Sequence, residues 1–200
     1  MRNTYLLPKK GSYRETSLRI AIAMDASTCT EDSTSMKLAE FNSADPVRAA
    51  EVLKPCIDVR RWVETITAAR PFPSKAALLR SAAEAAEPFT SAEVEAAMAH
   101  HPRIGERPTA STAEASMSRS EQSGVDPADA KVVEALAQGN RDYEEKFGRV
   151  FLVRAAGRTA PEILAALKER LANSPAEEDV IVARQLREIA VLRLEGLISE

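Results

Sequence analysis

Helix-start signals recur along this chain from Met36 to its end, and they constrain the fold more than any other feature. A residue able to cap a helix repeatedly stands just before a Pro or three residues before a Glu, and apolar residues three and four apart follow it. The clearest cases are Asp45-Pro46, Thr90 with Glu93, Asp126-Pro127, Thr159 with Glu162, and Ser174 with Glu177. Because strand patterns are nearly absent, the sequence predicts an all-α fold.

These signals predict a single domain of seven to eight helices over residues 36–200. The predicted helices are residues 46–54, 58–69, 74–86, 91–100, 112–122, 127–147, 160–172 and 176–197. Residues 150–153 are the one candidate for extended chain. Residues 1–35 mix basic side chains with Ser and Thr and show no sustained apolar period, which indicates a disordered leader or a translation start assigned upstream of the true one.

Charge and cysteine content narrow the classes of function. The net charge is −3 and the two signs are interspersed, so the sequence predicts no basic surface for nucleic acid. The longest mostly apolar run, residues 18–24, is far shorter than the roughly 20 residues that span a membrane. Cys29 and Cys56 form no CxxC pattern, which is typical of a reducing compartment. We therefore expect a cytoplasmic protein without nucleic-acid or membrane partners.

The only two histidines, His100 and His101, are adjacent and directly precede Pro102, which ends a helix. Neighbouring helical side chains point about 100° apart, and no HExxH motif or Cys cluster completes a ligand set, so we expect no metal. Two interpretations stay open. The histidines either decorate a helix C-terminus, where the helix dipole favours a partly protonated imidazole, or one of them is held at the lip of a cavity.

Residues 118–122 form a second polar segment. Ser118 followed three residues later by Glu121 is the signature of a capping box. In the functional interpretation, Glu121 orients or charges a histidine while Ser118 and Gln122 offer hydrogen bonds to a polar ligand. Both interpretations can hold at once.

Arg193 lies in an apolar stripe of the last predicted helix. Val182, Leu186, Ile189 and Leu197 fall on the same side of that helix. Because arginine is rarely buried without a partner, Arg193 either extends to solvent or meets an anion. The sequence leaves open whether that anion is a carboxylate of the protein or of a substrate, which the planar guanidinium also suits.

Several motifs of this chain together resemble the family of 2-oxo-4-hydroxy-4-carboxy-5-ureidoimidazoline (OHCU) decarboxylases, which complete the conversion of urate to allantoin. The motifs are residues 56–62 (CIDVRRW), 70–72 (RPF), 100–105 (HHPRIG), 118–122 (SRSEQ), 140–147 (NRDYEEKF) and 151–155 (FLVRA). The HPRIG block followed at the proper interval by SxxEQ is the specific part. The resemblance runs from about Leu38 to the end of the chain.

The resemblance implies an all-helical enzyme that needs no metal or organic cofactor and acts on a small ureidoimidazoline. It assigns His101 as the proton donor and Glu121 as the residue that positions it. It also implies a substrate pocket lined by Pro102, Ser118, Arg119, Ser120 and Gln122, by the backbone of Phe151, Leu152, Val153, Arg154 and Ala155, and by Arg193.

In the mechanism that the resemblance implies, the imidazoline ring is the electron sink that pyridoxal or thiamine supplies in other decarboxylases. The electron pair left by carbon dioxide delocalises through the adjacent C=N bond, and His101 then protonates one face. An unperturbed histidine pKa of about 6.5 allows this at neutral pH, and a neighbouring Glu121 would raise that pKa.

Two other functions stay open at this point. One is a catalytically silent helical module that binds a purine-derived ligand or a protein partner. The other is a metal-dependent hydrolase of ureides with His100 and His101 as ligands. The sequence also leaves the oligomeric state open, and an apolar helix face left over after packing would favour a homodimer.

Overall fold

The computed structural model describes residues 35–99, 101, 103–104, 113–122 and 129–200, and these contain nine helices and two short strands. The elements are β1 (Met36–Lys37), α1 (Leu38–Ser43), α2 (Pro46–Leu53), α3 (Arg60–Ala68), α4 (Lys75–Glu84), α5 (Ser91–Met98), α6 (Ala113–Glu121), α7 (Ala130–Phe147), α8 (Ala160–Arg170), α9 (Pro175–Leu197) and β2 (Ile198–Ser199). The predicted all-α class is confirmed. No helix in these ranges is both long and apolar enough to cross a membrane. The predicted leader lies outside the described residues, apart from Ser35.

Three features depart from the sequence prediction. Helix α1 was not predicted, because its six residues are too few for an apolar period to show. The strands were also missed. They have two residues each and pair in parallel, Met36 with Ile198 and Lys37 with Ser199. The start of α7 was predicted at Pro127, which lies outside the described residues, whereas α7 begins at Ala130.

The helix ends follow from local side-chain chemistry. Asp45 caps α2 by accepting the backbone N–H of Val47 at 3.0 Å. Ser174 and Glu177 form a reciprocal capping box at the start of α9, where the Glu177 carboxylate accepts the Ser174 N–H at 2.8 Å. Gly148 ends α7 with a φ of 68°, a left-handed conformation that glycine adopts at little cost.

Buried apolar side chains form two clusters. The first gathers α1 to α5 and α9 and includes Phe41, Trp62 and Leu186. The second lies between α7 and α8 and includes Tyr143 and Leu167. The two clusters are the hydrophobic cores on which the candidate site is built.

Residues 150–155 run between the two clusters without helical structure. Val150 and Leu152 pack on the first cluster, whereas Phe151, Val153 and Ala155 belong to the second. Side chains of an extended chain alternate in direction, so one short segment serves both cores. The alternation agrees with the extended chain predicted at this position.

Gly139 marks a close approach of α7 to α8. A Cβ atom at this position would lie 2.6 Å from Leu167 Cδ2, whereas carbon atoms pack at about 3.5–4.0 Å. Leu167 is fully buried, so its side chain has little room to move away. We expect Gly139→Ala to destabilise the fold by about 1–2 kcal/mol, because overpacking outweighs the gain in helix propensity.

Gly196 in α9 is the matched control for this substitution. No described atom lies within 4 Å of a Cβ built there. Gly196→Ala should therefore stabilise the protein by up to about 1 kcal/mol, the ordinary helix-propensity gain. Urea denaturation of both variants checks the pair, and a Gly139→Ala protein as stable as Gly196→Ala would contradict the close packing.

Candidate active site

A buried ion pair joins α6 to α9. Arg193 donates from Nε to Glu121 Oε1 at 2.6 Å and from Nη2 to Glu121 Oε2 at 3.0 Å. The two side chains are only 5% and 15% exposed. A third bond runs from Arg193 Nη1 to the carbonyl oxygen of Cys56 at 3.4 Å. The two parallel bonds to one carboxylate fix the plane of the guanidinium, and the group ties α6, α9 and the α2–α3 loop together.

This pair answers one question that the sequence left open and revises one expectation. Of the two anions considered for Arg193, the structure shows the protein carboxylate. Glu121 was expected to contact His101, but among the described residues its hydrogen-bonding partner is Arg193. The physical reason is that a guanidinium offers coplanar donors to both carboxylate oxygens, whereas an imidazole nitrogen offers one.

His101 follows α5 and is half-buried. Its backbone N–H donates to the carbonyl of Met98 at 3.1 Å, and its Nδ1 lies 2.9 Å from the carbonyl oxygen of Ala97. Because a carbonyl can only accept, Nδ1 carries a proton, and Nε2 is the nitrogen that gains and releases one. Nε2 is itself covered from solvent. The last turn of α5 therefore sets both the orientation and the tautomer of the ring.

The chain after His101 is fastened to α7. Arg103 donates to both carboxylate oxygens of Glu144, at 2.5 and 2.7 Å, and Asn140 Nδ2 donates to the carbonyl of Ile104 at 3.0 Å. Asn140 and Glu144 are four residues apart and so lie on one face of the helix. Sequence reasoning did not single out either residue, although both belong to the block that carried the family resemblance.

Helix α6 turns some of the predicted pocket residues inward and others outward. Ser118 is buried, and its Oγ accepts a hydrogen bond from Gln122 Nε2 at 3.3 Å. Arg119 and Ser120 are exposed, on the side of the helix away from Ser118 and Glu121. The pocket role expected of these two residues stays a prediction. The capping-box interpretation of Ser118 and Glu121 is wrong, because α6 begins at Ala113 and Ser118 lies inside the helix.

Two buried side chains hold the backbone of residues 151–155. Arg170 Nη1 donates to the carbonyl of Leu152 at 2.6 Å, and Gln185 Oε1 accepts the N–H of Arg154 at 2.8 Å. Arg170 is itself bound by the buried Glu178. Sequence reasoning missed all three side chains. The signal that found Arg193, a polar residue among buried apolar ones, could also have indicated Gln185.

The remaining predicted positions lie in different surroundings. Pro102 and His100 are outside the described residues. Arg154 is half-buried and, with Arg187 and Val191, lines a cavity of about 440 Å³ beside α9. A second cavity of about 380 Å³ lies between the start of α5 and α9. Neither cavity is lined by His101, Glu121 or Arg193.

Cys56 is a buried neutral thiol. Burial raises its pKa to about 12, although the nearby charge of Arg193 acts in the opposite direction. The thiol is therefore protonated at physiological pH and behaves as a small apolar group. Within the described ranges, no three His, Cys, Asp or Glu side chains are grouped closely enough to hold a metal ion.

Several known proteins are similar to this chain in sequence and in fold. The family model described as OHCU decarboxylase matches residues 42–195. The uric acid degradation bifunctional protein TTL of Arabidopsis thaliana is 40% identical over 107 residues, which cover 52% of this chain and 33% of that protein. The chain thus spans about a third of that relative's length.

The matches to two further relatives cover most of each relative's own length. An OHCU decarboxylase of Amia calva is 32% identical over 132 residues, which cover 65% of this chain and 75% of the relative. The crystal structure of an OHCU decarboxylase in the presence of (S)-allantoin matches with a TM-score of 0.59 and 28% identity, covering 74% of this chain and 96% of that chain.

Proposed function

The chain belongs to the OHCU decarboxylase family, and from this premise we propose that it converts OHCU to (S)-allantoin and carbon dioxide. The observation that carries the proposal is the match of the family model over residues 42–195, which includes both parts of the HPRIG and SxxEQ signature. The buried pair of Glu121 and Arg193 supports it, because a fixed guanidinium suits an anionic substrate.

The reaction needs an electron sink and a proton delivered to one face. When the bond from C4 of the substrate ring to its carboxylate breaks, the electron pair forms a double bond from C4 to C5. The former C5=N electron pair moves to the ring nitrogen, which takes a proton. The enol at C4 then becomes a carbonyl as C5 accepts a proton, so the ring supplies the sink that a cofactor would otherwise provide.

His101 is the proposed donor of the proton at C5. As an imidazolium it carries protons on both nitrogens, and its Nδ1–H is held by the carbonyl of Ala97. Release of the Nε2 proton leaves the neutral Nδ1–H tautomer, which keeps that hydrogen bond. The helix end therefore stabilises the form of His101 that remains after proton transfer.

Arg193 and Glu121 are proposed to hold the substrate rather than to move its protons. Arg193 has five N–H groups, and three of them donate hydrogen bonds to described residues. Two donate to the Glu121 carboxylate and one to the Cys56 carbonyl. Two N–H groups, on Nη1 and Nη2, remain to bind a ligand. By fixing the guanidinium plane before substrate arrives, Glu121 acts as a positioning residue for Arg193.

Ser118 and Gln122, which face the same side of α6 as Glu121, are proposed as further hydrogen-bonding groups of the pocket. The pocket roles of the exposed Arg119 and Ser120 stay predictions. The backbone of residues 151–155 is proposed to bind the amide groups of the substrate, and Pro102 stays a prediction.

Cellular location and assembly are separate proposals. A cytoplasmic location is supported by the cysteine pattern of the sequence. The possible homodimer stays a prediction. The large exposed apolar side chains among the described residues, Val47, Val133 and Val180, lie on three different helices, α2, α7 and α9.

Carbon dioxide release tests the proposed function against its alternatives. The substrate is generated in situ from urate with urate oxidase and hydroxyisourate hydrolase, and gas release is followed with and without the protein. We expect faster release that persists in EDTA, because the proposed chemistry uses only the substrate ring and protein side chains. Release no faster than spontaneous decay would favour a binding module, and activity abolished by EDTA would favour a metal-dependent enzyme.

A further inference from the structure

Val153 is held between two side chains from different helices. Arg170 of α8 donates to the carbonyl of Leu152, which belongs to the peptide group before Val153. Gln185 of α9 accepts the N–H of Arg154, which belongs to the peptide group after Val153. Each peptide group is planar, so one hydrogen bond fixes the direction of both its N–H and its C=O. The orientations of both peptide planes around Val153 are therefore set from outside the segment.

In this arrangement the backbone N–H and C=O of Val153 point away from the Arg170 and Gln185 side chains that hold the segment. In a trans peptide the N–H and C=O point in opposite directions, so the Val153 N–H points away from Arg170 and its C=O away from Gln185. Neither group has a hydrogen-bond partner among the described residues. Val153 is only 6% exposed, and buried backbone groups are nearly always paired. A donor and an acceptor on one residue match the N–H and C=O of an amide or urea.

The orientation of Gln185 is itself dictated by its surroundings. Its Nε2 donates to Glu188 Oε2 at 3.0 Å, and a carboxylate can only accept. The amide oxygen must then face the Arg154 N–H. Gln185 itself is buried, although its partner Glu188 is exposed.

We propose that Gln185 is a positioning residue for substrate binding, which holds the peptide group between Val153 and Arg154 so that Val153 presents its N–H and C=O to the amide groups of the substrate. The inference rests on the proposed function, because it concerns the same substrate. It assigns Gln185 no contact with the reacting atoms. Its loss should weaken binding and leave the chemical step largely unchanged.

The test is a steady-state comparison of substitutions at Gln185. Gln185→Leu removes the acceptor while keeping a side chain of similar size. We expect KM to rise about tenfold, the effect of one unmade hydrogen bond, with kcat within about threefold of wild type. The amide hydrogen exchange of Arg154 should accelerate at least as much, because its partner is gone.

Two further variants separate positioning from general damage. The exchange variant Gln185→Glu with Glu188→Gln keeps an acceptor at 185 and a donor at 188, and it should return KM to within about threefold of wild type. Gln138→Leu makes the same chemical change on the exposed face of α7 and should alter neither parameter. If Gln185→Leu does not fold, Gln185→Asn carries the comparison, because its shorter side chain withdraws the oxygen from Arg154.

The outcomes distinguish this inference from the proposed function. An unchanged KM in Gln185→Leu beside an active wild type overturns the positioning role alone. A loss of kcat that the exchange variant does not restore overturns it as well, since that pattern indicates a structural role. A wild-type protein that does not accelerate carbon dioxide release overturns the proposed function and the positioning role together, because that role concerns the same substrate.

Discussion

Replacing His101 with Asn is expected to lower turnover by about 10²-fold or more while the fold stays intact, as for the loss of a general acid. Asparagine retains an N–H donor that can serve the Ala97 carbonyl, which His101 Nδ1 contacts at 2.9 Å. It has no group that gains and loses a proton near neutral pH. Carbon dioxide release measures the turnover, and thermal unfolding followed by far-UV circular dichroism checks the fold.

The neighbouring histidine supplies the matched control. His100→Asn makes the same change one residue earlier, outside the HPRIG block, and should keep turnover within about threefold of wild type. If the large loss appears in His100→Asn and not in His101→Asn, the proton donor has been assigned to the wrong histidine. If neither variant loses turnover, histidine has no part in the proton transfer.

Arg170→Met is expected to destabilise the protein by about 3–5 kcal/mol, because it leaves a buried carboxylate without its counterion. Glu178 is fully buried and receives hydrogen bonds from Arg170 Nε at 2.8 Å, from Asn173 Nδ2 at 2.8 Å and from the hydroxyl of Tyr143. The substitution also removes the donor to the Leu152 carbonyl. For a chain of this length the loss corresponds to a fall in Tm of roughly 10 °C, measured by calorimetry.

Two controls make the Arg170 prediction specific. Arg60→Met breaks the surface pair with Glu64, whose side chains are 89% and 60% exposed, and should leave the stability nearly unchanged because solvent screens the pair. Adding Glu178→Leu to Arg170→Met removes the stranded charge and should restore part of the lost stability. A loss in Arg170→Met no larger than in Arg60→Met would show that the buried pair contributes nothing beyond a surface one.

The pH dependence of this difference has a definite sign. Burial alone would raise the pKa of Glu178, but the hydrogen bonds from Arg170, Tyr143 and Asn173 together hold it below its ordinary value of 4.5. A carboxyl group with a lowered pKa in the folded state stabilises the fold fully above the unfolded value, and that stability is lost as the pH falls through the folded value. Without Arg170, burial favours the protonated acid. The stability gap between wild type and Arg170→Met should therefore narrow as the pH falls below 4.5 towards the lowered folded-state pKa of Glu178.

The helices could be predicted from the sequence because a capping side chain bonds to backbone groups only two or three residues further along the chain. Asp45, Thr90, Thr159 and Ser174 each stand at the first turn that their own side chains help to close. Helix α1 and the two strands were not predictable, since elements of two to six residues carry too little pattern. The strand pair also joins the two ends of the described domain, a contact that no local signal encodes.

The candidate site was predictable as a set of residues and less so as a set of contacts. An arginine in an apolar stripe indicated that Arg193 would meet an anion, and it does. That the anion is Glu121 depends on how α6 packs beside α9, which the sequence pattern does not specify. The roles of Arg170 and Gln185 were missed for the same reason, because both act on a backbone segment distant in sequence.

The circular dichroism of the product tests the central claim most directly. OHCU generated in situ is allowed to decay with and without the protein, and the optical signal of allantoin is recorded over time. The account predicts that the wild-type protein rapidly produces the signal of the (S)-enantiomer, because one face of the intermediate receives the proton. A trace that matches the racemic product of spontaneous decay would contradict it and favour a helical module that binds a ligand without transforming it.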